Sequence, residues 1–179
     1  MAVCQRSDVL VFESNEKQVP GRGNNGINFF QAHSIFSRHM EFMNHLFTYG
    51  SLMCADIMQR VASCRAQSTE AVLRDFFRSG IHREDYPGIV PRPGASVTGV
   101  LYLDLPAEAV RRLDVFEGEL YERRQVEVFS PDYGVCSAMA YVVKDCYRDR
   151  LNNKEWSYAQ FLATGKANFE KAYLGFDRI

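Results

Sequence analysis

The sequence predicts one mixed α+β domain, and three stretches predict it. Val97-Thr-Gly-Val-Leu-Tyr-Leu103 is rich in β-branched and aromatic residues and reads as a strand. Gln125-Val-Glu-Val-Phe129 alternates, Pro131-Asp-Tyr-Gly134 turns, and Ser137-Ala-Met-Ala-Tyr-Val-Val143 returns as its hairpin partner. Between these strands Ala109, Val110, Leu113 and Phe116 recur at the spacing of one helical face. At 179 residues the chain is long enough to bury a core without disulfide staples. An apolar fraction of 46% with 13% aromatic residues points to a packed globule rather than disorder.

Taken in order, residues 1–44 read as a poorly ordered extension. Asn15 to Asn28 is polar and glycine-rich, and it buries too little apolar surface to offset its ordering entropy. Val9–Phe12 suits a short strand, and a natural start at Met40 or Met43 is a further expectation. The domain proper, 45–179, opens with His45-Leu-Phe-Thr-Tyr49, a buried first strand. Gly50-Ser51 interrupts it, and Leu52, Ile57, Met58, Val61 and Ala62 suit a helix to Arg65. Ser68 to Phe77 is ambiguous. Ser68 suits an N-cap to a helix carrying Val72, Leu73, Phe76 and Phe77, but Val72–Phe76 and Phe77–Arg83 suit strands equally. Glu84 to Gly94 reads as a loop stiffened by three prolines. Pro106 opens the next helix and Gly118 ends it, and a strand begins near Gln125. A terminal helix starts at Trp156 and bends at Gly165, and the tail, with Phe169, Tyr173, Leu174 and Phe176, should cover the open side of the sheet.

Composition narrows the function. Twenty-one basic and 22 acidic residues give a net charge of -1, which offers no electrostatic case for nucleic acid or an anionic membrane surface. No run of about 18 apolar residues exists to span a bilayer, and no signal peptide is expected, since Val9–Phe12 is too short for its apolar core. Cys4, Cys54, Cys64, Cys136 and Cys146 form no C-x-x-C pair, so reduced thiols and a cytoplasmic location are expected. His33, His39, His45 and His82 make no metal-binding spacing, so neither a metal nor another cofactor is expected.

Two stretches carry chemistry. Tyr49-Gly50-Ser51-Leu52 is a strand–turn–helix junction. Its glycine lets the backbone approach a ligand, and the free N–H groups of a first helical turn suit an anion or oxyanion. Leu113-Asp-Val-Phe-Glu-Gly118 ends a helix at a glycine, with Glu117 at the break and Asp114 three residues before it on the same side. A structural turn and a solvated surface glutamate would use the same residues. Nucleophilic catalysis by Ser51 or Cys54 is weaker, because the G-x-S-x-G glycines and a His/Asp pairing are absent.

Phe47-Thr-Tyr-Gly-Ser-Leu52, Tyr86-Pro-Gly-Ile-Val-Pro91, Val97–Leu103, Leu113–Gly118 with Tyr121-Glu-Arg123, and Ala140-Tyr-Val142 occur in an order that resembles the γ-glutamylcyclotransferase-like proteins, in particular the AIG2-like branch. The resemblance covers residues 45–164. It implies a small mixed β-barrel with peripheral helices, and it favours strands over Ser68–Arg83. It implies Glu117 as the catalytic acid/base and Tyr49, Gly50, Ser51 and Leu52 as the substrate-binding turn. Tyr121 and Tyr141 would line the cavity, although core tyrosines with bonded hydroxyls fit as well. The implied reaction closes a γ-glutamyl group into 5-oxoproline and releases an amine or amino acid, without a cofactor. The expected partner is a small γ-glutamyl substrate, with monomer and homodimer both open. The alternative is a non-catalytic binding or interaction module on the same fold.

Overall fold

The computed structural model describes residues 44–172; the expectations for residues 1–43 and 173–179 lie outside it. Its elements are β1 (Leu46–Thr48), a 3-10 turn (Ser51–Met53), α1 (Ala55–Ala62), β2 (Ser68–Ile81), β3 (Pro87–Tyr102), α2 (Ala107–Glu117), β4 (Tyr121–Ser130), β5 (Gly134–Val143) and β6 (Leu151–Glu155). A composite helix follows, α3, running Tyr158–Gln160, a π turn Phe161–Gly165, and Lys166–Ala172.

Five strands close a mixed barrel. β1 pairs antiparallel with β3 (Leu46 opposite Tyr102) and parallel with β5 (Leu46 opposite Met139). β5 pairs with β4, β4 with β2 (Val72 opposite Phe129), and β2 returns to β3, all antiparallel. β6, which the sequence pattern did not suggest, adds to the far end of β2. Closure removes most free strand edges.

Burial divides the core into two layers. Inside the barrel, Phe47, Leu73, Ile89, Leu101, Val128 and Val142 form one cluster. Outside it, Leu46, Ile57, Val61, Leu113, Phe116 and Phe169 belong to a second cluster, under the helices. All three residues of β1 are buried, which is why that strand reads as a continuous apolar run rather than an alternating one.

The ambiguous stretch after Ser68 is a strand. Ala71 and Leu73 are buried on alternate positions, and β3 supplies the ladder partners. The proline-stiffened loop is the chief correction, because β3 starts at Pro87 and carries Pro91 and Pro93 within it. Proline is tolerated at the start of a strand and at bulges, where no ladder N–H is needed. Register runs from Arg74 opposite Ser96 to Phe76 opposite Pro91, so residues 92–95 bulge out. Asp75 and Gly94 take positive φ there, and Asp75 Oδ1 accepts the Gly94 N–H at 2.8 Å. Smaller differences follow the same logic of tertiary pairing. β4 begins at Tyr121 rather than near Gln125, α1 ends at Ala62 where Ser63 turns left-handed, and α3 begins at Tyr158, capped by Ser157.

Candidate active site

Strand β1 is only three residues long, and it delivers Tyr49 to the rim of the barrel. The chain then turns. Gly50 O accepts the N–H of Met53 and Ser51 O that of Cys54, each at 3.0 Å, which makes one turn of 3-10 helix. No described residue accepts the N–H groups of Gly50, Ser51 or Leu52. Three successive donors are thus left at the start of this turn, as expected for the open end of a helix. Gly50 is required by close packing: a Cβ there would lie 2.9 Å from two ring atoms of Pro87.

Buried partners hold the turn in place. The Tyr49 hydroxyl donates to the Tyr141 carbonyl at 2.5 Å, and the Tyr102 hydroxyl donates to the Leu52 carbonyl at 3.0 Å. Arg78 Nη1 donates to the carbonyls of Tyr49 at 2.9 Å and Thr98 at 3.2 Å. Arg78 did not stand out in the sequence, and Tyr102 stood in the Val97–Leu103 block of the resemblance with no assigned role, because each acts through the main chain of another segment.

Helix α2 brings the carboxylate. Its apolar face, with Ala109, Leu113 and Phe116 buried, docks on the barrel, and Gly118 at φ 65 stops the helix. Glu117, on the last turn, lines the same cavity as Tyr49, Gly50, Ser51 and Leu52. Tyr121 and Tyr141 line it too, so the structure brings all seven of the residues singled out above into one cavity. Pro87, Tyr86, Phe116, Leu120 and Phe169 complete much of the wall. Of these, Tyr86 and Pro87 stood in a motif of the resemblance but carried no assigned role. Phe169 lies more than 50 residues from Glu117 along the chain, and nothing local marks it.

The electrostatics single out Glu117. Its carboxyl makes no hydrogen bond with any described residue. Desolvation by the surrounding protein, and secondarily the nearby Asp114, push its pKa up to about 8. The residue keeps partial contact with solvent along the cavity, while its carboxyl is crowded by protein. Asp114 is held differently. It accepts the Tyr141 hydroxyl at 2.8 Å and pairs with Arg123 Nε at 2.9 Å. Two carboxylates on one helical turn thus have opposite environments, one solvated and paired, the other apolar and unpaired.

The tyrosines are tethered. Tyr121 donates to the Pro87 carbonyl at 2.8 Å, and Tyr141 holds Asp114 through its hydroxyl and Tyr49 through its carbonyl. Burial, then the Glu117 charge, raises the Tyr49 hydroxyl well above its ordinary pKa, so it stays a neutral donor. Cys54, the other nucleophile considered, is buried with its Sγ 3.4 Å from the Tyr158 hydroxyl, and burial raises its thiol pKa. A thiol held protonated is a poor nucleophile.

Among the described residues Cys54, Cys64, Cys136 and Cys146 are free thiols, and no cluster of three metal-ligating side chains occurs. No helix among them is long and apolar enough to cross a membrane.

Comparison with known proteins bears on the fold and the family. The family model for "Gamma-glutamyl cyclotransferase, AIG2-like" matches residues 46–158. AIG2-like protein D of Arabidopsis thaliana is 34% identical over 90 residues, 50% of this chain and 59% of that protein. The chain therefore spans a little over half the length of that relative. AIG2-like protein A of the same plant is 24% identical over 131 residues, covering 73% of this chain and 79% of the relative. Among solved structures, a solution structure from Arabidopsis thaliana matches with a TM-score of 0.58 at 22% identity, over 76% of this chain and 91% of that one. A crystal structure of an AIG2-like protein from Mus musculus matches with a TM-score of 0.56 at 20% identity, over 67% and 91%. A structure of a gamma-glutamyl cyclotransferase matches with a TM-score of 0.51 at 19% identity, over 57% and 67%. At these identities the structures speak to the fold, a small mixed barrel with added helices. By its fold and by the family model spanning most of the barrel, this chain belongs to the gamma-glutamyl cyclotransferase, AIG2-like family.

Proposed function

We propose that this protein is a cofactor-independent γ-glutamylcyclotransferase-type acyltransferase acting on a small γ-glutamyl compound. The observation that carries the reading is the pairing, in one cavity, of an unbonded carboxyl with an elevated pKa and three unpartnered backbone N–H groups.

The α-amino nitrogen of the γ-glutamyl group attacks its own side-chain carbonyl carbon. A C–N bond closes the five-membered lactam, the original amide C–N bond breaks, and 5-oxoproline leaves with an amine or amino acid. One proton moves from the attacking nitrogen to the departing one. Glu117 is the group that takes it and returns it, since a pKa of about 8 suits transfer in both directions near neutral pH. The N–H groups of Gly50, Ser51 and Leu52 serve the substrate's α-carboxylate and the oxyanion that forms on the carbonyl. Nucleophile and electrophile share one molecule, so positioning supplies much of the acceleration. The reaction as written needs no metal or organic cofactor, and it fits a cytoplasmic small-molecule enzyme, as a monomer or homodimer.

The test is 5-oxoproline release by the purified protein. The panel would contain γ-glutamyl amino acids, glutathione and γ-glutamyl amines, and Glu117→Gln would run alongside. Release by the parent and silence from the variant are expected. Silence from a folded parent across the panel would favour a binding module instead.

A further inference from the structure

We propose that Arg78 is a positioning residue, which fixes and polarises the Tyr49–Gly50 peptide from behind so that the Gly50 N–H acts as an anion-binding donor of the cavity. The identity of the anion rests on the cyclotransferase reading; the geometry does not.

Arg78 does not line the cavity. It sits on β2 behind the turn, with its guanidinium 5.2 Å from the centre of the Trp156 ring. Its Nε is buried and has no hydrogen-bond partner. The polar contacts of this half-buried cation come from Nη1, which bonds the Tyr49 and Thr98 carbonyls and lies 3.9 Å from Met53 Sδ. The Tyr49 carbonyl is the one immediately before Gly50. In a trans peptide C=O and N–H point in opposite directions, so a carbonyl turned back to Arg78 turns the Gly50 N–H away from it. Gly50 lines the cavity and Arg78 does not. A charge-assisted bond to the carbonyl also draws electron density through the amide and strengthens its N–H as a donor. The bond to Thr98 ties the same guanidinium to β3, so the peptide plane is referenced to the barrel rather than to the three-residue β1.

The test compares Arg78→Met and Arg78→Lys with the parent in the full chain. Thermal unfolding reports the fold, amide NMR of the ligand-free protein reports the Gly50 N–H, and 5-oxoproline release reports kcat/KM. The Met variant should fold, move the Gly50 amide proton upfield, and lose about tenfold or more in kcat/KM, as for one charge-assisted hydrogen bond. The Lys variant, which returns a cation to the carbonyl, should recover part of both effects. An unmoved Gly50 amide in the Met variant overturns the proposal, as does a folded Lys variant that recovers nothing. If Arg78→Met does not fold, Arg78→Gln, an uncharged donor, takes its place with the same expectation. If the parent itself releases no 5-oxoproline, the functional reading fails, and the Gly50 amide still decides the claim about Arg78.

Discussion

The two halves of the cavity work by opposite means. The turn at Gly50–Met53 offers main-chain donors, and the groups that hold it belong to other strands: the Arg78 side chain on β2, the Tyr102 side chain on β3 and the Tyr141 carbonyl on β5, which accepts the Tyr49 hydroxyl. The end of α2 offers one side chain, Glu117, and keeps it unbonded while its neighbour Asp114 takes up the nearby donors, Tyr141 and Arg123. In the turn, residue identity matters for shape. At the helix end, in the proposed reaction, it matters for chemistry. Substitutions should therefore divide the same way: loss of a side chain from the turn is mild unless it alters the backbone, and loss of the carboxyl is severe.

The largest expected effect is at the helix end. Glu117→Gln should fold and lower kcat by about 10²–10⁴-fold, the range for removing a general acid/base, as read by 5-oxoproline release. The same variant should change stability in a pH-dependent way. A carboxyl whose folded pKa is raised above its unfolded value stabilises fully below the unfolded value, and that contribution is lost as pH rises through about 8. Denaturant unfolding of the parent should therefore weaken relative to Glu117→Gln over that window, by up to a few kcal/mol. Parallel stability curves for the two proteins would contradict the burial of this carboxyl.

Next in size is a change to the backbone of the turn. Gly50→Ala forces a methyl group against the Pro87 ring, so the turn or the start of β3 must shift. Displacement of the donors should cost about tenfold or more in kcat/KM. An unchanged kcat/KM would remove the turn from the catalytic account.

Smaller still is Tyr141→Phe, which removes the hydroxyl bonded to Asp114. It should lower unfolding stability by about 1.5–3 kcal/mol, the range for a hydrogen bond to a charged group, with less effect on kcat than Glu117→Gln. The smallest effect belongs to Ser51→Ala. The Ser51 hydroxyl makes no hydrogen bond with a described residue, and the N–H survives the substitution. Activity should fall only a few-fold by steady-state kinetics, and a loss as complete as that of Glu117→Gln would point to a serine nucleophile instead.

Both halves of the cavity were legible as sequence because each is local. A buried apolar run broken by Gly50-Ser51, and a helical period broken by Gly118, mark their own turns within a few residues. The barrel was less legible. Closure depends on β1 meeting β3 and β5, and β2 meeting β4, across long separations, and Pro87, Pro91 and Pro93 disguise a strand by sitting at its first position and at or beside its bulge. β6 was hidden because Asn152, Asn153 and Lys154 carry no strand preference; the edge of β2 imposes the conformation. Arg78 was invisible for a third reason. Its partners are carbonyl oxygens, which every residue has, so no side-chain pattern could announce it.

The role of Glu117 is read most directly from the pH dependence of kcat/KM for 5-oxoproline release by the parent protein. If Glu117 must be ionised in the free protein to take the proton of the attacking amine, activity should rise along an acid limb with an apparent pKa of about 8. A limb in the ordinary glutamate range, about 4.3, or no limb at all, would contradict the assignment of Glu117 as the buried acid/base.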